Sequence, residues 1–200
     1  MGTKHIYSYG GSVDTASKGV TYNEEYGTLP TPTREGYTFK GWNGKNYVNI
    51  SDRNIKFTNS YYAIQSPTIG YILKPNTTYT LSFDYVVNSS SYPVYTSIGC
   101  GKTGYSYDLY YGSESTSYSG TGKNVVKFTT PSSFPSTCDP AYVRFRLARM
   151  SSSGSVDVDV SNIQLEEGTT ATTYESYYVT SDTNVTQNKD HTLTAIWEEN

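Results

Sequence analysis

The run Thr31-Pro32-Thr33-Arg34-Glu35-Gly36-Tyr37-Thr38-Phe39-Lys40-Gly41-Trp42 and the closing run His191-Thr192-Leu193-Thr194-Ala195-Ile196-Trp197 together decide the fold. Tyr37 and Phe39 alternate with polar residues between two glycines, the pattern of a short half-buried strand with a turn at each end. Leu193, Ala195 and Trp197 alternate in the same way. A single strand cannot bury its apolar face, so both need a sheet, and the simplest sheet is one they share. Everything between them is then an insertion.

Composition agrees with a β protein. Tyr accounts for 22 of 200 residues and Gly for 17, while only 16% are charged, which favours an all-β, extracellular-type chain over a helical cytosolic one. The net charge of −3 and the scattering of Lys and Arg argue against a nucleic-acid partner. No apolar run approaches the roughly 18 residues of a membrane span, so none is expected in this fragment.

Working outward, His5–Tyr9 and Val20–Tyr22 read as short strands. Asn23-Glu24-Glu25-Tyr26 reads as the opening of a helical turn that Leu29-Pro30-Thr31-Pro32 breaks. After Trp42 the composition shifts to Asn, Ser and Tyr. Strand candidates follow at 46–50, 55–58, 61–66, 70–73, 79–87, 94–100, 105–111, 124–129, 142–150 and 155–166, with turn signals between them. Such a series, with no helix interrupting it, predicts a sandwich or jelly roll.

Both parts carry a recognisable spelling. Val20-Thr21-Tyr22-Asn23-Glu24-Glu25-Tyr26-Gly27-Thr28-Leu29, the Pro32-to-Trp42 run and Thr192–Trp197 resemble the Listeria-Bacteroides repeat, the internalin-type B repeat of bacterial surface proteins; Ile6-Tyr7-Ser8-Tyr9-Gly10-Gly11-Ser12 resembles its first strand. The resemblance covers 1–43 and 178–200. It implies a small β-grasp-like domain of the kind that stands in tandem on extracellular proteins, here interrupted by residues 44–177. Within the interruption, Leu73-Lys74-Pro75-Asn76-Thr77-Thr78-Tyr79-Thr80-Leu81-Ser82-Phe83-Asp84-Tyr85 and Val160-Ser161-Asn162-Ile163-Gln164-Leu165-Glu166-Glu167-Gly168 resemble jelly-roll modules of the carbohydrate-binding type. The fold expected is therefore mainly all-β, a β-sandwich jelly roll inserted into a small β-grasp-like repeat domain.

A glycan site needs aromatic faces for stacking and polar side chains around them. Alternation after Tyr79 places Tyr79, Leu81, Phe83 and Tyr85 on the core side and Thr80, Ser82, Asp84 and Val86 on the other. In 142–150, Val143, Phe145 and Leu147 point inward and Arg144 and Arg146 outward. If the two strands share a sheet, Asp84, Arg144 and Arg146 line one polar surface; the alternative is a solvated salt-bridge face. Tyr61, Tyr62, Tyr92, Tyr110 and Tyr111 are the candidate stacking residues, against the reading that Tyr simply fills half-exposed β positions.

The jelly-roll resemblance also implies a structural Ca²⁺ held by carboxylates and carbonyls. The positions matching the family's acidic pair are Ser161 and Asn162, leaving Asp157, Asp159 and Asp52 as the nearest candidates, or as the wet face of a strand. Cys100 and Cys138 permit one disulfide, or stay as buried thiols. No paired carboxylates or Ser-His-Asp set is recognisable, so no enzyme activity and no cofactor are expected. Two functions stand: a non-catalytic glycan-binding module of a bacterial cell-surface or secreted protein, monomeric within a larger multidomain chain, or a structural spacer or protein-binding adhesin module meeting a host or cell-surface protein.

Overall fold

The computed structural model describes residues 2–7, 11–65, 73–100, 109–110, 117–136, 138 and 143–200, which hold strands and turns and no helix. The chain divides into a first unit of residues 1–46 and 173–200 and a second of 47–172.

The first unit is a four-stranded sheet ordered β2-β1-β11-β3, formed by β1 (Gly2–Tyr7), β2 (Ser17–Val20), β3 (Tyr37–Asn43) and β11 (His191–Glu199). The closing strand lies at its centre, parallel to β1 and antiparallel to β3. This strand order is β-grasp-like. Where a helical turn is expected, the chain makes a tight turn closed by Glu24 N–H donating to Thr21 O at 3.2 Å, with Asn23 at φ 66°. Asn tolerates that left-handed backbone better than other non-glycine residues, so the segment turns instead of winding.

A bulge sets the core of this sheet. Ile196 pairs with Gly41 and Trp197 with Phe39, leaving Lys40 extra on β3. The added residue resets the alternation, so Phe39 and Trp42 both face inward although three positions apart. Gly41 adopts φ 144°, and a Cβ there would lie 2.8 Å from the Tyr178 ring, so a side chain at this position is strained in its backbone and displaces that ring. Phe39 sits edge-on to Trp42 at 5.4 Å and to Trp197 at 5.6 Å. Lys40 points out and pairs with Glu198 at 2.8 Å.

The second unit is built on β10 (Val143–Glu167). The sequence pattern suggests two strands here because Ser151-Ser152-Ser153-Gly154 interrupts the apolar alternation, but the backbone continues through register shifts on either side of Gly154. Its first part pairs with β6 (Val94–Cys100) and its last with β5 (Thr78–Ser90), while β4 (Arg53–Gln65) follows its other edge. β9 (Thr121–Thr129) lies beyond β5, and the short strands β7 (Leu109–Tyr110) and β8 (Ser117–Tyr118) pair with β6. β4 likewise joins two expected strands across Asn59, at φ 58°. The expected strand at 46–50 is absent, the chain there joining β10 through Tyr47 N–H donating to Leu165 O at 2.8 Å, and residues 66–72 and 101–108 of other expected strands lie outside the described residues.

Leu81, Phe83 and Val126 from one half of the sandwich and Ile98, Phe145 and Leu147 from the other join one buried cluster. Each fully buried Leu or Phe contributes roughly 1.5–3 kcal/mol relative to exposure. The architecture is an all-β jelly-roll sandwich interrupting a small repeat-type sheet.

Because both tryptophans lie in the first unit, their fluorescence reports its unfolding. Leu193→Ala, at a fully buried site on the central strand, is expected to lower its stability by about 2–5 kcal/mol, read as a lower urea midpoint of tryptophan emission.

Candidate functional site

The polar surface expected from alternation is not assembled. Asp84 pairs with Ser161 in the β5–β10 half, whereas Arg144 and Arg146 pair with Gly99 and Ser97 in the β6–β10 half. Arg146 is only 7% exposed, and Phe145, Arg146, Leu147 and Ala148 are all buried. Four consecutive buried residues mean that both faces of the strand are covered here, which is why alternation alone misplaces Arg146 in solvent. Beside Asp84 the outer face is closed by the chain's own return. Thr80 Oγ1 donates to Gly168 O at 2.8 Å, and Glu166 accepts from Thr172 N at 2.8 Å and Thr172 Oγ1 at 2.7 Å. Thr80, Ser82, Gln164 and Glu166 are buried beneath it.

Asp84 and Asp52 serve a bulge in β10. Its inward residues switch from Val156, Val158 and Val160 to Ile163 and Leu165, and Asn162, at φ 51°, absorbs the extra residue. Asn162 Nδ2 donates to Asp84 Oδ2 at 2.7 Å and its backbone N–H to Asp52 Oδ1 at 3.1 Å.

Asp157 and Asp159 form a ladder instead of a chelate. Asn54 Nδ2 donates to Asp157 at 2.7 Å and Asp159 at 2.9 Å, Asn88 Nδ2 donates to the same pair at 3.2 and 2.8 Å, and Lys56 Nζ pairs with Asp157 at 2.8 Å. Amide and ammonium donors thus occupy oxygens that a cation would need. Among the described residues no three His, Cys, Asp or Glu side chains gather as a metal set. Lys56, then Asn54 and Asn88, hold the Asp157 carboxyl down to about 2, and Asn88, then Asn54, lower that of Asp159.

Of the remaining candidates, Tyr110 pairs with Gly99, which pairs with Arg144, so these form one row of the sheet. Tyr61 and Tyr62 lie in β4, and Tyr111 lies outside the described residues. Cys138 is buried and disulfide-bonded; Cys100, the other cysteine of the sequence, ends β6.

A cavity of about 720 Å³ opens instead at the end of the sandwich, between the β5–β6 turn and the β8–β9 turn, lined by Tyr85, Val87, Ser89 to Ser91, Tyr92 to Val94 and Ser117 to Ser119. Its volume falls in the range of small-molecule sites. Tyr118 forms the floor: its hydroxyl donates to Leu147 O, its ring meets Phe83 edge-on at 5.7 Å, and burial pushes its ionisation well above the usual phenol range. Tyr85 packs against it at 4.5 Å. The walls are joined by Val87 N–H donating to Gly120 O at 2.8 Å, with Gly120 turning at φ 65°. Ser90 Oγ donates to Tyr92 O, shaping the opposite turn. Tyr92, at the rim, is 44% exposed and so offers a ring face to solvent. Among the described residues no charged side chain lines the space.

Of these residues, sequence reasoning singled out Tyr92 alone and assigned Tyr85 to the core. The available signal was two tyrosines next to serines, Ser91-Tyr92-Pro93 and Ser117-Tyr118-Ser119.

Residues 6–63 match the family model of the Listeria-Bacteroides repeat domain. No curated protein matches the chain. Among solved structures, one described as "CBM4 structure and function" is similar at 14% identity and TM-score 0.40, over 67% of this chain and 96% of that one. The N-terminal cellulose-binding domain of Cellulomonas fimi β-1,4-glucanase C is similar at 16% identity and TM-score 0.40, over 76% and 100%. A Stig cyclase from Fischerella sp. TAU is similar at 19% identity and TM-score 0.37, over 68% and 90%.

Two outcomes are expected at these positions. Asn162→Val places a β-branched residue at positive φ and removes the bond to Asp84, and is expected to cost roughly 1–3 kcal/mol in denaturant unfolding, with Asn162→Gly costing less. The Asp157 carboxyl is expected to titrate near pH 2 by carboxyl-carbon NMR and to move up in Lys56→Met. Since the folded value is depressed, its stabilisation is present above the unfolded value of about 3.9 and is lost as pH falls through the folded value.

Proposed function

We propose that the second unit is a non-catalytic module that binds uncharged carbohydrate in the cavity at the end of the sandwich. The observation that carries this reading is the lining itself, three tyrosines and five serines around about 720 Å³, with no charged group among the described residues. Tyrosine rings offer apolar faces to the C–H faces of a sugar ring, and hydroxyls match its rim. An anionic sugar entering would shed water and meet no cation among the described lining residues, which disfavours it. Among the described residues the lining holds no His, Cys, Lys or carboxylate to serve as acid, base or activated nucleophile, and this supports binding over turnover. In this proposal the first unit is a mount, the chain belongs to a bacterial cell-surface or secreted protein, and the 6–63 family match supports that setting.

A second reading, spacer or protein-binding module, is favoured by one observation. Both tryptophans, the strongest stacking residues, lie in the first unit, with Trp42 buried and Trp197 packed against its core.

The test is calorimetric titration of the 200-residue chain with neutral oligosaccharides and one uronic-acid oligosaccharide. Binding of a neutral member, weakened about tenfold in Tyr92→Ala, or roughly 1.4 kcal/mol, and unchanged in Lys127→Ala on the distant β9 face, is expected. A blank panel, or Tyr92→Ala without effect, would transfer the assignment to the spacer reading.

A further inference from the structure

We infer that Gly122 and Gly154, neither of which lines the cavity, are specificity-determining positions of that site, an inference that rests on the carbohydrate reading. Each supplies the space in which one of the pocket's rings stands. A Cβ at Gly122 would lie 3.0 Å from Tyr85 Oη and 3.3 Å from its Cζ. Tyr85 has little room to retreat, because its ring is packed at 4.5 Å on Tyr118, itself anchored through its hydroxyl to Leu147 O.

Gly154 acts at the rim in the same way. A Cβ there would lie 3.0 Å from Ser91 Cβ and 3.2 Å from Tyr92 Cδ2. Ser91 is tied to Ser155 through three contacts: its N–H donates to Ser155 O at 3.0 Å, its Oγ accepts from Ser155 N at 3.2 Å, and its Oγ lies 3.1 Å from Ser155 Oγ. The displacement therefore passes to the Tyr92 ring, the neighbour with an exposed face. Gly154 sits at the register shifts of β10, so the irregularity that breaks the strand's alternation also seats the rim tyrosine.

The two positions divide the site's selectivity. Gly122 sets the depth available to the first sugar unit, beside the Tyr85–Tyr118 floor. Gly154 sets the angle of the ring that a second or third unit would meet. One added methyl in a packed pocket discriminates by about tenfold or more, so related chains differing at these glycines would differ in the sugar length and shape they accept.

The test uses the full chain as wild type, Gly122→Ala and Gly154→Ala. Two readouts are taken: tyrosine-ring resonances without ligand, and affinities for mono- and hexasaccharide of whichever neutral series the wild type binds. Gly154→Ala is expected to shift the Tyr92 ring signals and lower the hexasaccharide-to-monosaccharide affinity ratio on the order of tenfold. Gly122→Ala is expected to shift Tyr85 and Tyr118 and weaken both sugars together. A loss of fold stability alone would not move the ratio. Unshifted rings, or shifted rings with unchanged affinities, would overturn the inference while leaving the carbohydrate reading intact. A wild type that binds no sugar would overturn both, whatever the rings do. Should Gly154→Ala not fold, Gly122→Ala decides the question alone.

Discussion

Everything in this chain depends on the closing strand lying at the centre of the first sheet and not at its edge. β11 pairs with β1 on one side and β3 on the other, so neither early strand completes the sheet until the last residues arrive. An isolated pair of short strands is marginal in water. The residues between must therefore leave and return without separating the two ends, a condition that sandwich modules with neighbouring termini meet. The first unit has a device at this point. Glu175, 1% exposed, accepts from Lys45 N at 3.0 Å and Thr186 Oγ1 at 2.7 Å, and Asn46 Nδ2 donates to Glu175 O at 3.0 Å. The outgoing and returning segments are held side by side through one buried carboxylate. Gly44 makes room for it, since a Cβ there would lie 1.8 Å from the Glu175 oxygen.

The fold was legible where spelling and periodicity coincide. The Tyr37–Trp42 and His191–Trp197 runs announce paired strands, and Tyr79–Tyr85 announces the inner core, because each combines alternation with bounding turns. Continuity was not legible. β4 and β10 each read as two strands, since Asn59, Gly154 and Asn162 interrupt alternation and a bulge looks like a turn when the partner strand is unseen. A linear family match meets the same difficulty: it runs from 6 to 63, out of the first unit at residue 46 and into β4, while the strand that completes the sheet lies at 191–199.

The site was less legible than the fold for a related reason. Alternation tells which side of a strand a residue faces, not what covers that side. Arg146 and Ser82 alternate correctly away from the core and are nevertheless buried, and Asp84 is engaged by the Asn162 bulge. Their polarity is internal accounting for an irregular sandwich covered on both faces, where each buried polar group needs a partner. Polar residues marching along a strand are thus weak witnesses for a ligand surface in a protein of this kind.

Tyr85 shows where a better witness lies. It occupies the same inward row as Tyr79, Leu81 and Phe83, and for most of β5 that row is core. The row runs past the end of the packed layer, however, and there the same orientation that buries Phe83 leaves Tyr85 half-covered beside the cavity. A sandwich core must end somewhere, and the residues on its last layer face neither full packing nor open water. Tyrosine suits that position because its ring packs while its hydroxyl stays wet. Serine-rich turns prevent the neighbouring loops from closing over it with apolar bulk. The cavity in this chain is therefore a consequence of where the core stops, with Gly122 and Gly154 standing behind two of its rings.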